Sequence, residues 1–323
     1  MQAGTFFLQP MVMNGIKKFF GILKTAFDEF LQDNGFKLSA SLSYYTIFSL
    51  APLLIIVISL SGLFLGRAAV EGRIYGQLKG LLGSEASMQV QNIITNIQQS
   101  EHSLAGAIIG FGILLLGATG VFTEIQGSIN YIWSLKTKPK KGWLKIILDR
   151  LLSFSLVVAL SFLLMVSLTV NAVMDLLNEQ LTRYFHIAVE IFYVINIILI
   201  LVIITGLFAV IFKVLPDARI RWKDAFTGAF FTALLFLLGK VVIGVYLGKS
   251  KIGLTYGASA SVIIILTWVY YSSIILYFGA EFTKVYTMRH GSGISPNNNA
   301  VFIIKREAKE ITAEPVDAGE EKA

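Results

Sequence analysis

LAGAIIGFGILLLGATGVF, Leu104 to Phe122, runs nineteen residues without a charge. At ~1.5 Å of rise per residue, a helix of that length roughly matches the hydrocarbon thickness of a bilayer, so the stretch reads as a membrane helix. It leads directly into a polar end, TEIQGSINYIW, which carries Glu124, Gln126 and Asn130. Lys136, Lys138, Lys140, Lys141, Lys145 and Arg150 then crowd one short connection. Short basic connections stay on the cytoplasmic side, so this loop orients the chain.

Composition agrees. The 323 residues are 55% hydrophobic and 15% charged, with mean hydropathy +0.71, far more apolar than a soluble domain. The reading is an all-α, multi-pass membrane protein. Zero cysteines exclude disulfides, thiol catalysis, iron–sulfur clusters and Cys-ligated zinc. The net charge of +7 sits in short loops beside apolar helices, where it serves orientation and anionic lipid headgroups; nucleic acid is not expected as a partner.

Upstream, residues 1–37 lack the pattern of a cleaved signal peptide and are expected to be retained in the cytoplasm. Ile16, Phe19, Phe20, Leu23, Phe27, Phe30 and Leu31 recur at helical spacing with Lys17, Lys18, Lys24, Asp28 and Glu29 elsewhere, which predicts an amphipathic interfacial helix. The first span, about 38–65, opens with SASLSYYTIFS. Ser39, Ser43 and Thr46 form one stripe suited to bonds with a neighbouring helix, Tyr44 lies among them, and Pro52 predicts a kink. Residues 66–103 hold two short amphipathic helices for the outer face, where they cap the bundle, meet lipid or dock a protein partner.

Downstream, spans are expected at about 147–174, 187–212, 225–247 and 258–286, with the second at 104–134. The loop KVLPDARIRWKD turns at Pro216 and Asp217 and offers Asp224 as a helix cap. Gly244 and Gly248, four apart, permit a close helix contact. Lys240 is set to snorkel or to pair with an acid. Trp268 and Tyr270 lie too deep for an interfacial belt and are expected inside the bundle. Residues 287–323 read as a disordered cytoplasmic tail. On this six-span layout cytoplasmic segments hold 20 Lys and Arg against six outside, which places both termini in the cytoplasm.

Glu124, Ser128 and Tyr131 share one helical sector, and Gln126 and Asn130 point away from it. A helix end polar on both sides must be enclosed by protein, reach headgroups or line a hydrated cavity. Glu124 is thus either a satisfied structural carboxylate or a proton- or substrate-linked group. Other chemistry is missing from the sequence. GVYLGKS, Gly244 to Ser250, is one residue short of a phosphate-binding loop and ends an apolar helix; His102, His186 and His290 are isolated. No metal or cofactor and no enzymatic activity are expected.

LSASLSYYTIFSLAPLL, FTEIQGSINYIW and YGASASVIIILTWVYYSSIILYFGAEF, in this order and spacing, resemble the YihY/BrkB family of bacterial inner-membrane proteins over roughly residues 15–290. The family's motifs fall on Tyr44, Pro52, Glu124, Gln126, Asn130, Trp133, Tyr256, Gly257, Trp268, Tyr270, Gly279, Ala280 and Glu281. The resemblance implies six membrane helices. Members have been labelled ribonuclease BN, a naming regarded as mistaken, or virulence and serum-resistance factors, and lipid or lipopolysaccharide export has been suggested for relatives. Two readings follow: a transporter or flippase-like exporter, with Glu124, Gln126, Asn130, Ser43, Tyr44, Trp268, Tyr270 and Glu281 around a polar cavity, and an envelope scaffold with Glu124 satisfied internally. A nuclease is disfavoured for want of a metal or general-base cluster.

Overall fold

The computed structural model describes residues 9–49, 84, 87–92, 120–138, 189–250, 252–256 and 260–305. The expected span at 147–174 lies outside these residues, as do Pro52 and most of the outer segment 66–103; the spans at 38–65 and 104–134 are described in part.

Helix α1 (Gln9–Gln32) is followed by a turn in which Asn34 adopts a positive φ of 55°, and then by α2 (residues 35–49). Helix α3 covers residues 120–132 and leads into strand β1 (Leu135–Thr137). Helix α4 (Val189–Val214) ends just before Pro216, which has no N–H to continue the helical ladder. After strand β2 (Ala218–Arg219) come α5 (Trp222–Lys249), the short α6 (Ile252–Tyr256) and α7 (Ala260–His290). Strands β3 (Ser295–Pro296) and β4 (Ala300–Phe302) complete the described chain.

Ile197–Val214, Trp222–Lys249 and Val262–His290 are long and apolar enough to cross a membrane. Helix α4 packs on α5, α5 on α7, and α7 on α1. The apolar side chains of Leu238, Val241, Val242 and Val245 on α5 are exposed, Leu238 by 67%. A contiguous bare aliphatic face of this kind is a liability in water and the expected surface against lipid.

Two close approaches fix how α5 crosses α7. A Cβ at Gly228 would stand 2.0 Å from Thr283 Oγ1, and one at Gly279 would stand 2.1 Å from Thr232 Oγ1. The pairs Gly228/Thr232 and Gly279/Thr283 therefore interlock, each threonine seated over the other helix's glycine. Both hydroxyls donate back to the glycine carbonyl four residues earlier, Thr232 at 2.7 Å and Thr283 at 2.6 Å, so no polar group is stranded. Among the described residues no close contact is made at Gly244 or Gly248: no atom of theirs lies within 4 Å of a Cβ built at either. Four-residue glycine spacing permits an approach, but where the helices cross decides which glycines use it.

Three further expectations are corrected. Among the described residues the Ser39, Ser43 and Thr46 hydroxyls donate not to a neighbouring helix but to the Gly35, Ala40 and Leu42 carbonyls of their own, at 2.7, 2.8 and 2.8 Å. Asp224 does not cap α5, whose N-cap is Arg221 without a side-chain bond; instead it accepts from the Ser292 hydroxyl at 3.1 Å and backbone N–H at 3.3 Å. Residues 287–305 are not tail: α7 runs to His290, β3 pairs antiparallel with β2, and β4 pairs antiparallel with β1. Polar composition suggested disorder, yet two loops supplied free strand edges, and Arg219 holds the Asn297 and Asn298 side chains at 3.3 and 2.8 Å. Residues 306–323 lie outside the described chain.

Candidate functional site

Helices α3 and α7 run parallel where the second-span polar end meets the last span. Trp133, 2% exposed, donates its indole N–H to the Ala280 carbonyl at 3.0 Å, and Lys284 reaches the Ile132 carbonyl at 2.7 Å. An indole buried this fully needs such an acceptor. This pins the end of α3 to the GAE turn of α7.

With α3 so placed, its two polar sectors meet different partners. Asn130 donates to Asp217 Oδ2 at 2.9 Å and accepts the Asp217 backbone N–H at 2.8 Å. Gln126 reaches the same Oδ2 at 3.5 Å, and the Thr137 hydroxyl donates to it at 2.8 Å. The Asp217 carbonyl accepts from Asn297 N–H at 2.9 Å. Through its carboxylate Asp217 thus ties the α4–α5 loop to α3 and β1, and through its backbone carbonyl to the segment after α7. Sequence reading gave Asp217 only a turn; what betrays it is an acid that the fold leaves to be satisfied by amide and hydroxyl donors.

The other sector faces α7. Tyr270, Ser273, Tyr277, Glu281 and Lys284 recur at three- and four-residue steps and form one stripe, opposite in direction to Gly279 and Thr283. Ser273, Tyr277 and Glu281 are buried. The Tyr277 hydroxyl lies beside Ser128, within electrostatic reach of Glu124, and completes no hydrogen bond of good geometry. Glu124 itself is half-buried and forms no ion pair among the described residues. A polar seam therefore descends between the two helices from Lys284 to the level of Glu124.

At its mouth the seam becomes ionic. Thr25 and Glu29 on α1 and Asp33 in the turn after it recur every four residues and lie antiparallel along α7: Arg289 donates to the Thr25 hydroxyl at 2.7 Å, and Lys284 meets Glu29 at 2.8 Å and Asp33 at 3.7 Å. Lys284 also pairs with Glu281 at 2.7 Å. Lys305 closes the group by pairing with Asp33, and its ammonium lies 4.4 Å from the Tyr131 ring centroid. Burial pulls the Lys305 pKa below its usual lysine value, with Asp33 opposing. Beside these residues opens a cleft of about 430 Å³, walled by Thr25, Glu29, Trp133, Ser134, Lys284 and Arg289 and by the apolar Val285, Met288, Ile294 and Phe302.

The remaining candidates are scattered. Ser43 is buried on its own helix and Tyr44 is exposed. Trp268 stands edge-on to Phe236 with ring centroids 5.9 Å apart, near Tyr271 and the apolar cluster around Ile243 and Leu247. Glu281 is at the mouth of the seam, paired with Lys284, while Gln126 and Asn130 are held apart from the seam by Asp217. Glu29, Asp33, Lys284 and Lys305 escaped the sequence reading; the acid at 281 and base at 284 in an apolar helix end, and the acids at 29 and 33, were the available signal. No group of three metal-ligating side chains occurs among the described residues.

A family model described as virulence factor BrkB matches residues 26–303. A UPF0761 membrane protein of Rhodospirillum centenum is 29% identical over 269 residues, 81% of this chain and 56% of that protein. UPF0761 membrane proteins of Saccharophagus degradans and Psychrobacter are 27% and 25% identical, over 87% and 86% of this chain and 62% and 51% of theirs. The chain thus spans less than two thirds of the length of these relatives. No solved structure matches.

Proposed function

We propose, on the premise that this chain belongs to the virulence factor BrkB family of membrane proteins, that it is a non-enzymatic transporter or flippase-like exporter of an amphiphilic substrate. It acts in the bacterial inner membrane with six spans and both termini in the cytoplasm. The observation that carries this reading is the polar seam of Tyr270, Ser273, Tyr277, Glu281 and Lys284 facing Glu124 and Ser128, with the mixed cleft at its mouth. Polar side chains facing the bundle interior at membrane depth are costly and mark pathways. The cleft suits a molecule with a charged head and an apolar body: Glu29, Lys284 and Arg289 offer both signs of charge, and Met288, Ile294 and Phe302 offer apolar wall. Glu124 is the group that would meet a headgroup or a proton within the seam.

The test is reconstitution of wild type and Glu124→Gln in liposomes with a panel of fluorescent phospholipids, after checking that both insert and fold equally. Wild type is expected to move at least one probe across the bilayer, and Glu124→Gln to move it several-fold more slowly. Wild type that moves nothing would favour the second reading, an envelope scaffold. That reading draws on Asp217, which holds Gln126 and Asn130 in bonds no substrate needs.

A further inference from the structure

We infer that the cleft beside α7 binds an anionic phospholipid, its headgroup seated on Arg289 and the root of its acyl chains on Met288 and Phe302. The inference builds on the transporter reading, whose amphiphile it makes an anion.

Most polar groups on the cleft wall are already engaged inside the protein. The Trp133 indole donates to the Ala280 carbonyl at 3.0 Å, and the Lys284 ammonium stands 2.8 Å from Glu29, 2.7 Å from Glu281 and 2.7 Å from the Ile132 carbonyl. The Thr25 hydroxyl donates to the Gly21 carbonyl at 2.9 Å. Arg289 differs. Among the described residues its guanidinium makes a single hydrogen bond, from Nη2 to Thr25 Oγ1 at 2.7 Å, and no ion pair. Nor does it cap its own helix end, where the Thr287 carbonyl accepts the Gly291 and Gly293 N–H groups at 3.0 and 3.2 Å. Thr25 holds in place a planar fork of donors whose spacing matches two oxygens of a phosphate. Ser134 adds a second polar group to the wall, and its hydroxyl makes no hydrogen bond among the described residues. Its φ of 57° is one that glycine would hold at lower cost.

The apolar wall selects a lipid over a free anion. Met288 and Phe302 are 64% and 56% exposed, and Val285 and Ile294 line the same cleft. A small hydrated anion gains nothing from such side chains, whereas acyl carbons laid on them leave water. About 430 Å³ lies within the range of small-molecule sites and gives room for a headgroup and the first chain carbons.

Calorimetric titration of the full chain in non-ionic detergent tests the site, with dihexanoyl phosphatidylglycerol, dihexanoyl phosphatidylcholine and inorganic phosphate as the three ligands. Wild type should bind the phosphatidylglycerol about tenfold more tightly than either of the others, the worth of a hydrogen bond to a charged group. Arg289→Ala should lose about that factor, and Lys136→Ala, which removes an exposed lysine outside the cleft, should lose none. Equal affinity of wild type for phosphatidylcholine or for inorganic phosphate would overturn the inference with no variant needed. Undiminished binding by folded Arg289→Ala, or an equal loss in Lys136→Ala, would overturn it too. Binding is read here without movement. A chain that binds phosphatidylglycerol selectively but translocates nothing would keep this site and lose the transporter reading, whereas one that moves lipids and binds none selectively would lose this site alone.

Discussion

Asp217 and Lys284 lie at the same end of the bundle, and each ties α3 to other parts of the chain, but they do so with opposite chemistry. Around Asp217 a single carboxylate is satisfied by neutral donors from Gln126, Asn130 and Thr137. Around Lys284 two ammonium groups and three carboxylates are packed together, with Glu281 removed from solvent. The first arrangement gathers several neutral donors on one carboxylate oxygen, so it is suited to holding a shape. The second depends on the balance of its charges, so it responds when one is removed or a proton is added.

The largest effect expected from breaking this contrast is Lys284→Met. Removing one partner of a buried ionic group leaves the others uncompensated and costs about 3–5 kcal/mol. Denaturant or thermal unfolding in detergent should show it. Replacing Lys284 and Glu281 together by Met should recover a substantial part of that loss, because apolar packing then replaces the pair. A double variant no better than Lys284→Met would mean that the charges themselves hold α1 to α7.

Asp217→Ala should be milder, at about 1–3 kcal/mol, the range for stranding hydrogen-bond donors without stranding a charge. It should also loosen β2–β3 and β4, which hydrogen exchange of residues 295–302 would report as faster opening. An equal or greater loss than in Lys284→Met would erase the distinction between the hubs.

The smallest effect concerns Lys305. Its pKa is lowered in the folded chain, chiefly by burial. Between that lowered value and the ordinary 10.5 the unfolded chain binds the extra proton, so stability through this group rises with pH across that window. The slope of unfolding free energy against pH in alkaline solution should therefore be shallower in Lys305→Met than in wild type. An unchanged slope would separate Lys305 from the cluster.

Much of the membrane architecture was legible in the sequence, because uncharged runs and basic loops act through length and composition alone. The apolar runs matching α4, α5 and α7 emerged as helices long enough to span. The two-sided polarity of the α3 end was legible as well: Asp217 meets one sector, and Tyr277 and Lys305 meet the other. Hidden from the sequence were the pairings. Asp217 lies 87 residues from Asn130, and Lys305 lies 272 from Asp33; no local period joins residues so far apart. The strands of residues 295–302 were hidden for a similar reason, since their pairing partners are two- and three-residue loop edges with no strand signature of their own. The Gly228–Thr283 and Gly279–Thr232 interlock shows the same limit, because the motif was common and only the crossing point selected it.

Phospholipid movement in proteoliposomes, expressed per folded molecule, for wild type, Asn130→Ala and Glu124→Gln tests most directly whether the polar residues divide into a structural hub and a working seam. The account predicts that Asn130→Ala melts earlier yet keeps the wild-type rate, and that Glu124→Gln stays folded and loses it. Loss of movement in folded Asn130→Ala, with Glu124→Gln unaffected, would contradict that division.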